Sequence, residues 1–111
     1  MNLINTKKVQ EDIHDFESKA NNLLSFFKKN HVGKSKSITA KNLSEWGCPR
    51  QIRSYIHYLR MNSNPICSGS KGYWFAQSQE DVYETIKFIL DPRIEEVVLA
   101  LKTTLHRLPA K

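Results

Sequence analysis

Gly47 and Pro49 interrupt the middle of this chain and restrict what the residues on either side can form. A glycine supplies the positive φ that a sharp turn between two helices requires. Proline suits the first position of a helix, where its missing N–H is not needed. A short helix over residues 40–46, capped by the hydroxyl of Thr39, is therefore predicted to turn abruptly into a second helix that begins at Pro49.

The second helix is predicted to cover residues 49–61 and to have one apolar and one polar side. Ile52, Ile56 and Leu59 recur at intervals of four and three residues, which places them on one buried stripe. At about 100° per residue, the opposite side and its flanks are basic and polar. They carry Arg50, Gln51, Arg53, Ser54, His57, Arg60 and Met61.

Two short strands, over residues 66–68 and 73–76, are predicted to follow this helix. The four residues between them, Gly69-Ser70-Lys71-Gly72, are typical of the connection in a β-hairpin. The hairpin, over residues 66–76, is therefore expected to present the cation of Lys71 and the hydroxyl of Ser70 at its tip.

Helical patterns flank this central unit on both sides. Residues 6–30 carry apolar residues three and four positions apart, and one long helix or two helices with a break near Ser18 both fit the pattern. After the hairpin, Ser78 and Asp81 resemble a capping box that opens a helix reaching Leu90.

The last helix, predicted to start at Asp91 and Pro92, carries a regular apolar stripe. Its members recur about every 3.5 residues, which is the spacing of a coiled coil, and we expect them to hold two copies of the chain together. Alternatively, this helix folds back on the N-terminal helix, whose own apolar side also needs cover. The predicted dimerisation residues are Ile94, Val98, Leu101, Leu105 and Leu108.

These patterns predict a mainly helical α+β fold with one small hairpin. At 111 residues the chain has the length of a single domain. It divides into an N-terminal helical segment (1–30), a central core (31–77) and C-terminal helices (78–111).

Positive charge is concentrated in the central core. Residues 31–77 contain seven Lys and Arg and one acidic residue, so they carry the whole net charge of +6, while the flanking segments are nearly neutral. Affinity for a phosphate backbone comes largely from cations that displace counterions. The distribution indicates a nucleic-acid partner, with Lys34, Lys36 and Lys41 as additional phosphate contacts; alternatively, the charge only aids solubility.

The sequence lacks the residues that several other classes of function require. Cys48 and Cys67 do not form a Cys-x-x-Cys motif, so we expect no metal site and interpret both as buried apolar groups. The sequence contains no catalytic motif or cofactor-binding glycine loop, which argues against an enzyme and against a cofactor. Without a signal-peptide pattern or a long apolar run, we expect a cytoplasmic protein with no membrane contact.

The predicted elements follow the order of a winged helix-turn-helix unit. They are a helix, a short strand at residues 37–38, a helix, a tight turn, a helix and a hairpin. Residues 43–76 resemble the N-terminal DNA-binding domain of the biotin-operon repressor family and related winged-helix modules of bacteria and phages. Nothing after Ala76 resembles the ligase half of that family. The resemblance rests on Ile52-x-x-x-Ile56-x-x-Leu59-Arg60 and on Lys71-Gly72-Tyr73; Cys48-Pro49 departs from the usual Ser-Arg at the start of the recognition helix.

The resemblance implies sequence-specific binding of double-stranded DNA, by a small transcription regulator or a replication or partition accessory protein. The recognition helix (49–61) would enter the major groove, and the wing (66–76) would contact phosphates or the minor groove. The alternative is a winged helix that binds only other proteins, and the concentrated charge favours DNA. The candidate DNA contacts are Arg50, Gln51, Arg53, Ser54, His57, Arg60, Ser70 and Lys71.

Overall fold

The computed structural model, which describes residues 6–89 and 95–110, arranges mostly helices around one antiparallel hairpin. The predicted α+β class is confirmed. Single 3-10 turns lie at Lys34–Lys36 and Leu105–Arg107. The longer elements are helix α1 (Thr6–Asn30), a 3-10 helix (Ala40–Trp46), α2 (Pro49–Met61), strands β1 (Ile66–Gly69) and β2 (Gly72–Phe75), α3 (Gln79–Phe88) and α4 (Glu95–Lys102).

The hairpin separates two hydrophobic cores, because successive side chains of a strand point to opposite sides of the sheet. Ile66, Tyr73 and Phe75 pack with the first core, which α1 and α2 form. Cys67 and Trp74 pack with the second core, which α3 and α4 form. Ile66 lies opposite Phe75 and Cys67 opposite Trp74, so each cross-strand pair contributes to one core.

Helix α1 is continuous, and its second half belongs to the first core. Ala20, Leu23 and Phe27 are fully buried and pack in the same cluster as the predicted stripe of α2. Residues 10–15, in the first half of α1, are exposed. The N-terminal helix therefore supplies part of the central core rather than forming a separate segment.

The turn into α2 forms as the glycine and the proline predict. Thr39 Oγ1 accepts a hydrogen bond from the N–H of Asn42 at 3.3 Å, Gly47 has a φ of 148°, and Pro49 opens α2. The preceding helix differs from the predicted type, since it is a 3-10 helix whose Leu43 departs from helical geometry (φ −99°, ψ 16°). 3-10 helices are usually single short turns, and the kink at Leu43 divides this one into two such turns.

The hairpin turn is tighter than the predicted four-residue connection. β1 and β2 extend to Gly69 and Gly72, which pair with each other, so Ser70 and Lys71 alone form the tip. Gly72 has a φ of 115°, and a Cβ atom there would overlap the carbonyl oxygen of Ile38. The glycine is needed because β2 also pairs with Ile38 along its other edge.

Helices α3 and α4 cover the second side of the hairpin, and this corrects the predicted dimerisation stripe. Leu101 is fully buried, and Leu105 and Leu108 pack against the same core as Trp74. Val98 is half-buried, and Ile94 lies outside the described residues. Most of the stripe is therefore buried by contacts within the chain, and α4 packs against α2 and α3.

The start of α3 also differs from the prediction. Ser78 caps the helix without a side-chain hydrogen bond, and the carboxylate of Asp81 accepts instead from the N–H of Gln77 at 2.8 Å. The predicted capping box is therefore wrong. α3 ends at Phe88, and the predicted helix start at residues 91–92 lies outside the described residues.

Candidate nucleic-acid interface

One side of α2 carries most of the candidate DNA-contacting side chains and leaves them open to solvent. Arg50, Gln51, Arg53, Ser54 and His57 are all exposed, as their helical spacing predicts. Neither arginine forms an ion pair with a carboxylate of residues 6–89 or 95–110. Their positive charge is therefore available to an anionic partner.

A cleft of about 570 Å³ lies between this side of α2 and the hairpin. Arg53 and His57 line the cleft from α2, and Ser70 lines it from the hairpin tip. Lys71, next to Ser70, is exposed. The fold thus brings the candidate residues of the helix and those of the hairpin to one side of the molecule.

Two of these side chains also form local hydrogen bonds. The Oε1 atom of Gln51 accepts from the N–H of Cys48 at 2.9 Å and so caps the start of α2. The hydroxyl of Ser54 donates to the carbonyl oxygen of Arg50 at 3.2 Å. Arg50, Arg53 and His57 consequently have more of their hydrogen-bonding capacity open to a ligand than Gln51 and Ser54 have.

Arg60 does not face solvent as a DNA contact must, and its predicted role requires correction. Its side chain is 9% exposed. The Nε atom donates to the carbonyl oxygen of Ile66 at 2.8 Å, and an Nη atom donates to the hydroxyl of Ser68 at 2.9 Å. Arg60 therefore ties the end of α2 to β1, because β1 passes over the flank of the helix where the sequence places this residue.

The charged residues of α2 and the hairpin are all basic. From Trp46 to Gln79 the sequence contains no aspartate or glutamate. Lys36 and Lys41 are exposed and remain candidate phosphate contacts, whereas Lys34 pairs with Glu84 at 3.3 Å. The cations of α2 and the hairpin therefore act together on whatever approaches this side.

Two residues of the cleft were missed by the sequence prediction. Phe88, at the end of α3, and Val97, in α4, line the cleft beside Arg53 and His57. No local pattern marks them, since they follow α2 by more than one intervening element. The end of α3 and the start of α4 thus give an apolar wall to a cleft that is otherwise basic.

The two cysteines lie in different environments. Cys67 is fully buried, and burial raises the pKa of its thiol to about 12. Cys48, at the N-cap of α2, is exposed, so the prediction that both are buried is wrong for this residue. Its position before Pro49 leaves it outside the stripe that α2 buries.

No helix within the described residues is both long and apolar enough to cross a membrane. No protein-family model, curated protein or solved structure matches the chain.

Proposed function

We propose that this chain is a winged helix-turn-helix protein that binds double-stranded DNA sequence-specifically, with α2 as recognition helix and the hairpin as wing. The 3-10 helix, the glycine turn, α2 and the hairpin follow one another in the order of that unit, and Ile38 pairs with β2 as a short third strand would. The observation that carries the proposal is the exposed basic side of α2, which shares a cleft with the tip of the hairpin.

The exposed side chains suit the chemistry of duplex recognition. An α-helix fits the major groove, where arginine forms paired hydrogen bonds with guanine, and Arg50 and Arg53 stand on the side of α2 that would enter it. Lys71 and Ser70, at the tip of the wing, would contact the phosphate backbone or the minor groove. Such binding needs no cofactor and no catalytic step, which fits a cytoplasmic regulator or a replication or partition accessory protein.

The test is a double substitution on α2. Arg50→Glu with Arg53→Glu should abolish binding to double-stranded genomic fragments in a gel-shift assay, while the circular-dichroism spectrum and the melting temperature stay nearly unchanged, because both side chains are exposed. Lys29→Glu with Lys87→Glu is the matched control, since it changes the net charge equally at exposed positions of α1 and α3.

The two pairs of substitutions separate local contacts from overall charge. DNA binding that survives in the α2 variant contradicts the recognition-helix assignment. Equal losses in both variants contradict it too, because overall charge alone would then explain the affinity.

A second candidate function is protein binding by the same fold. Tyr83, Phe88 and Leu99 are exposed apolar side chains on α3 and α4, and such side chains are enriched where proteins meet. A chain that binds no duplex fragment at low salt would favour this alternative.

We further propose that the DNA-binding form is a homodimer. A lone winged helix covers a small site, and two half-sites one helical turn apart multiply the affinity through effective concentration.

A further inference from the structure

The cleft between α2 and the hairpin contains a buried cation that DNA binding does not use. Arg60 lines this cleft while remaining 9% exposed. Its bonds to Ile66 and Ser68 go to neutral oxygens. Within residues 6–89 and 95–110 it has no ion-pair partner. A guanidinium has five N–H donors, so these two bonds leave part of its donor capacity unused.

A buried charge is costly unless an opposite charge accompanies it. Burial lowers the pKa of Arg60, as expected for a guanidinium taken out of water without a carboxylate beside it. Arg53 and His57 stand in the same cleft, and among the residues that the structure describes no aspartate or glutamate lines it. An anion in the cleft would lie close to positive charge at the exposed edge, from Arg53, and further inside, from Arg60.

The apolar residues that line the cleft indicate that the ligand has an apolar part as well as an acidic group. Ile56, Tyr73, Phe88 and Val97 are the large apolar residues of the lining, and Phe88, at 53% exposure, offers the most surface. At 9% exposure, the Arg60 guanidinium is more accessible to a small anion than to a phosphate fixed in a duplex backbone, so the arrangement favours a small molecule.

We propose that this cleft binds a small organic acid, with one carboxylate or phosphate group at Arg60 and an apolar ring or chain against Phe88 and Val97. Because Arg53 and His57 belong both to the cleft and to the exposed side of α2, the bound acid also competes with DNA. This second statement rests on the proposed function, whereas the binding of the acid does not.

Binding is tested without DNA, by titrating the full ¹⁵N-labelled chain with phenyl phosphate and with benzoate in NMR experiments. Affinities in the millimolar range are expected for probes of this size. The Nε–H signal of Arg60 and the amide signals of Ser68 and Gly69 should shift and saturate. Inorganic phosphate, which lacks the ring, and benzyl alcohol, which lacks the charge, should each bind at least about tenfold more weakly if both parts of the cleft contribute.

Two variants at exposed positions separate this site from general attraction to a basic protein. Arg53→Glu places a negative charge in the cleft and should weaken phenyl phosphate binding by about tenfold or more. Arg50→Glu changes the net charge equally from outside this cleft, and should leave that affinity within about twofold because water screens separated charges. Phe88→Ala should reduce the preference for phenyl phosphate over inorganic phosphate, because the ring loses part of its apolar wall.

Three results would overturn the proposal. Shifts that do not saturate or that avoid Arg60, Ser68 and Gly69 exclude a site in the cleft. Equal weakening by Arg53→Glu and Arg50→Glu shows attraction to the surface alone. Saturable binding of phenyl phosphate that leaves the gel-shift affinity for DNA unchanged overturns the proposed competition. If the chain shifts no DNA at all, the proposed function is wrong, and the NMR titration alone then decides whether the cleft binds the acid.

Discussion

Arg60 shows how much of a single residue's environment can be predicted from the sequence. Helical spacing puts it at the border between the apolar stripe of α2 and its polar side, one position after Leu59. Which side of that border it joins depends on β1, whose Ile66 and Ser68 accept its hydrogen bonds. No local pattern contains that information, since the strand reaches the helix only after the chain has turned.

The structural role of Arg60 predicts a loss of stability rather than a loss of a surface contact. Arg60→Met leaves the carbonyl of Ile66 and the hydroxyl of Ser68 without their donor, and should lower the free energy of unfolding by about 2 kcal/mol in urea denaturation. Arg53→Met is the matched control on the exposed side of α2, where a change within about 0.5 kcal/mol is expected. Equal stabilities of the two variants would contradict the role given to Arg60.

The two cysteines are predicted to differ in reactivity. The thiolate is the reactive form, and burial raises the pKa of Cys67 to about 12, so the ionised fraction falls steeply as the pH drops below that value. An alkylating reagent at pH 8 should therefore label exposed Cys48 in the native protein and label Cys67 only after denaturation, as measured by peptide mass spectrometry. Labelling of Cys67 at the rate of Cys48 in the native protein would show that the second core opens readily.

At the scale of elements, the sequence predicted what depends on spacing and on the special conformations of glycine and proline. The stripe of α2, the turn at Gly47 and the hairpin all form where those signals place them. The type of the helix Ala40–Trp46 and the two-residue hairpin tip were not predicted. The hairpin depends on a contact with another part of the chain, the approach of Ile38 to Gly72, whereas the 3-10 geometry goes with the kink at Leu43.

The hairpin tip should make one phosphate contact and no base contact. Lys71→Ala is therefore expected to weaken binding about equally on all DNA sequences, and to lower the slope of log affinity against log salt by about one. Lys102→Ala, at an exposed position of α4, is the control and should leave the slope unchanged. An unaltered slope for Lys71→Ala would mean that the tip does not touch the DNA, although α2 would remain the candidate for the groove.

At the scale of the whole molecule, most of the C-terminal stripe packs within the chain, where the sequence predicted a contact with a second copy or with the N-terminal helix. Leucines spaced by three and four look the same in a sequence whether they pack on a second copy or on the chain's own sheet. Trp74 and Cys67 decide the matter, because the hairpin has two apolar sides and α1 with α2 can cover only one. The candidate DNA contacts of α2 depended less on such pairing, since exposed charged residues need no partner to be placed.

The proposed dimer must therefore use side chains that α3 and α4 leave uncovered. Leu99 is 60% exposed on the same helix that buries Leu101, and it offers the sharpest test. Light scattering at tens of micromolar should give the mass of two chains for the intact protein and of one chain for Leu99→Asp, because a charge in an apolar contact loses its hydration without gaining a partner. Lys29→Asp, which also adds negative charge at an exposed position, but on α1, is the control and should stay dimeric. Since Leu99 contributes little to the intramolecular core, the melting temperature of Leu99→Asp should change only through the lost dimer. A single-chain mass for the intact protein would show the dimer proposal to be wrong, and each copy would then have to bind its DNA site alone.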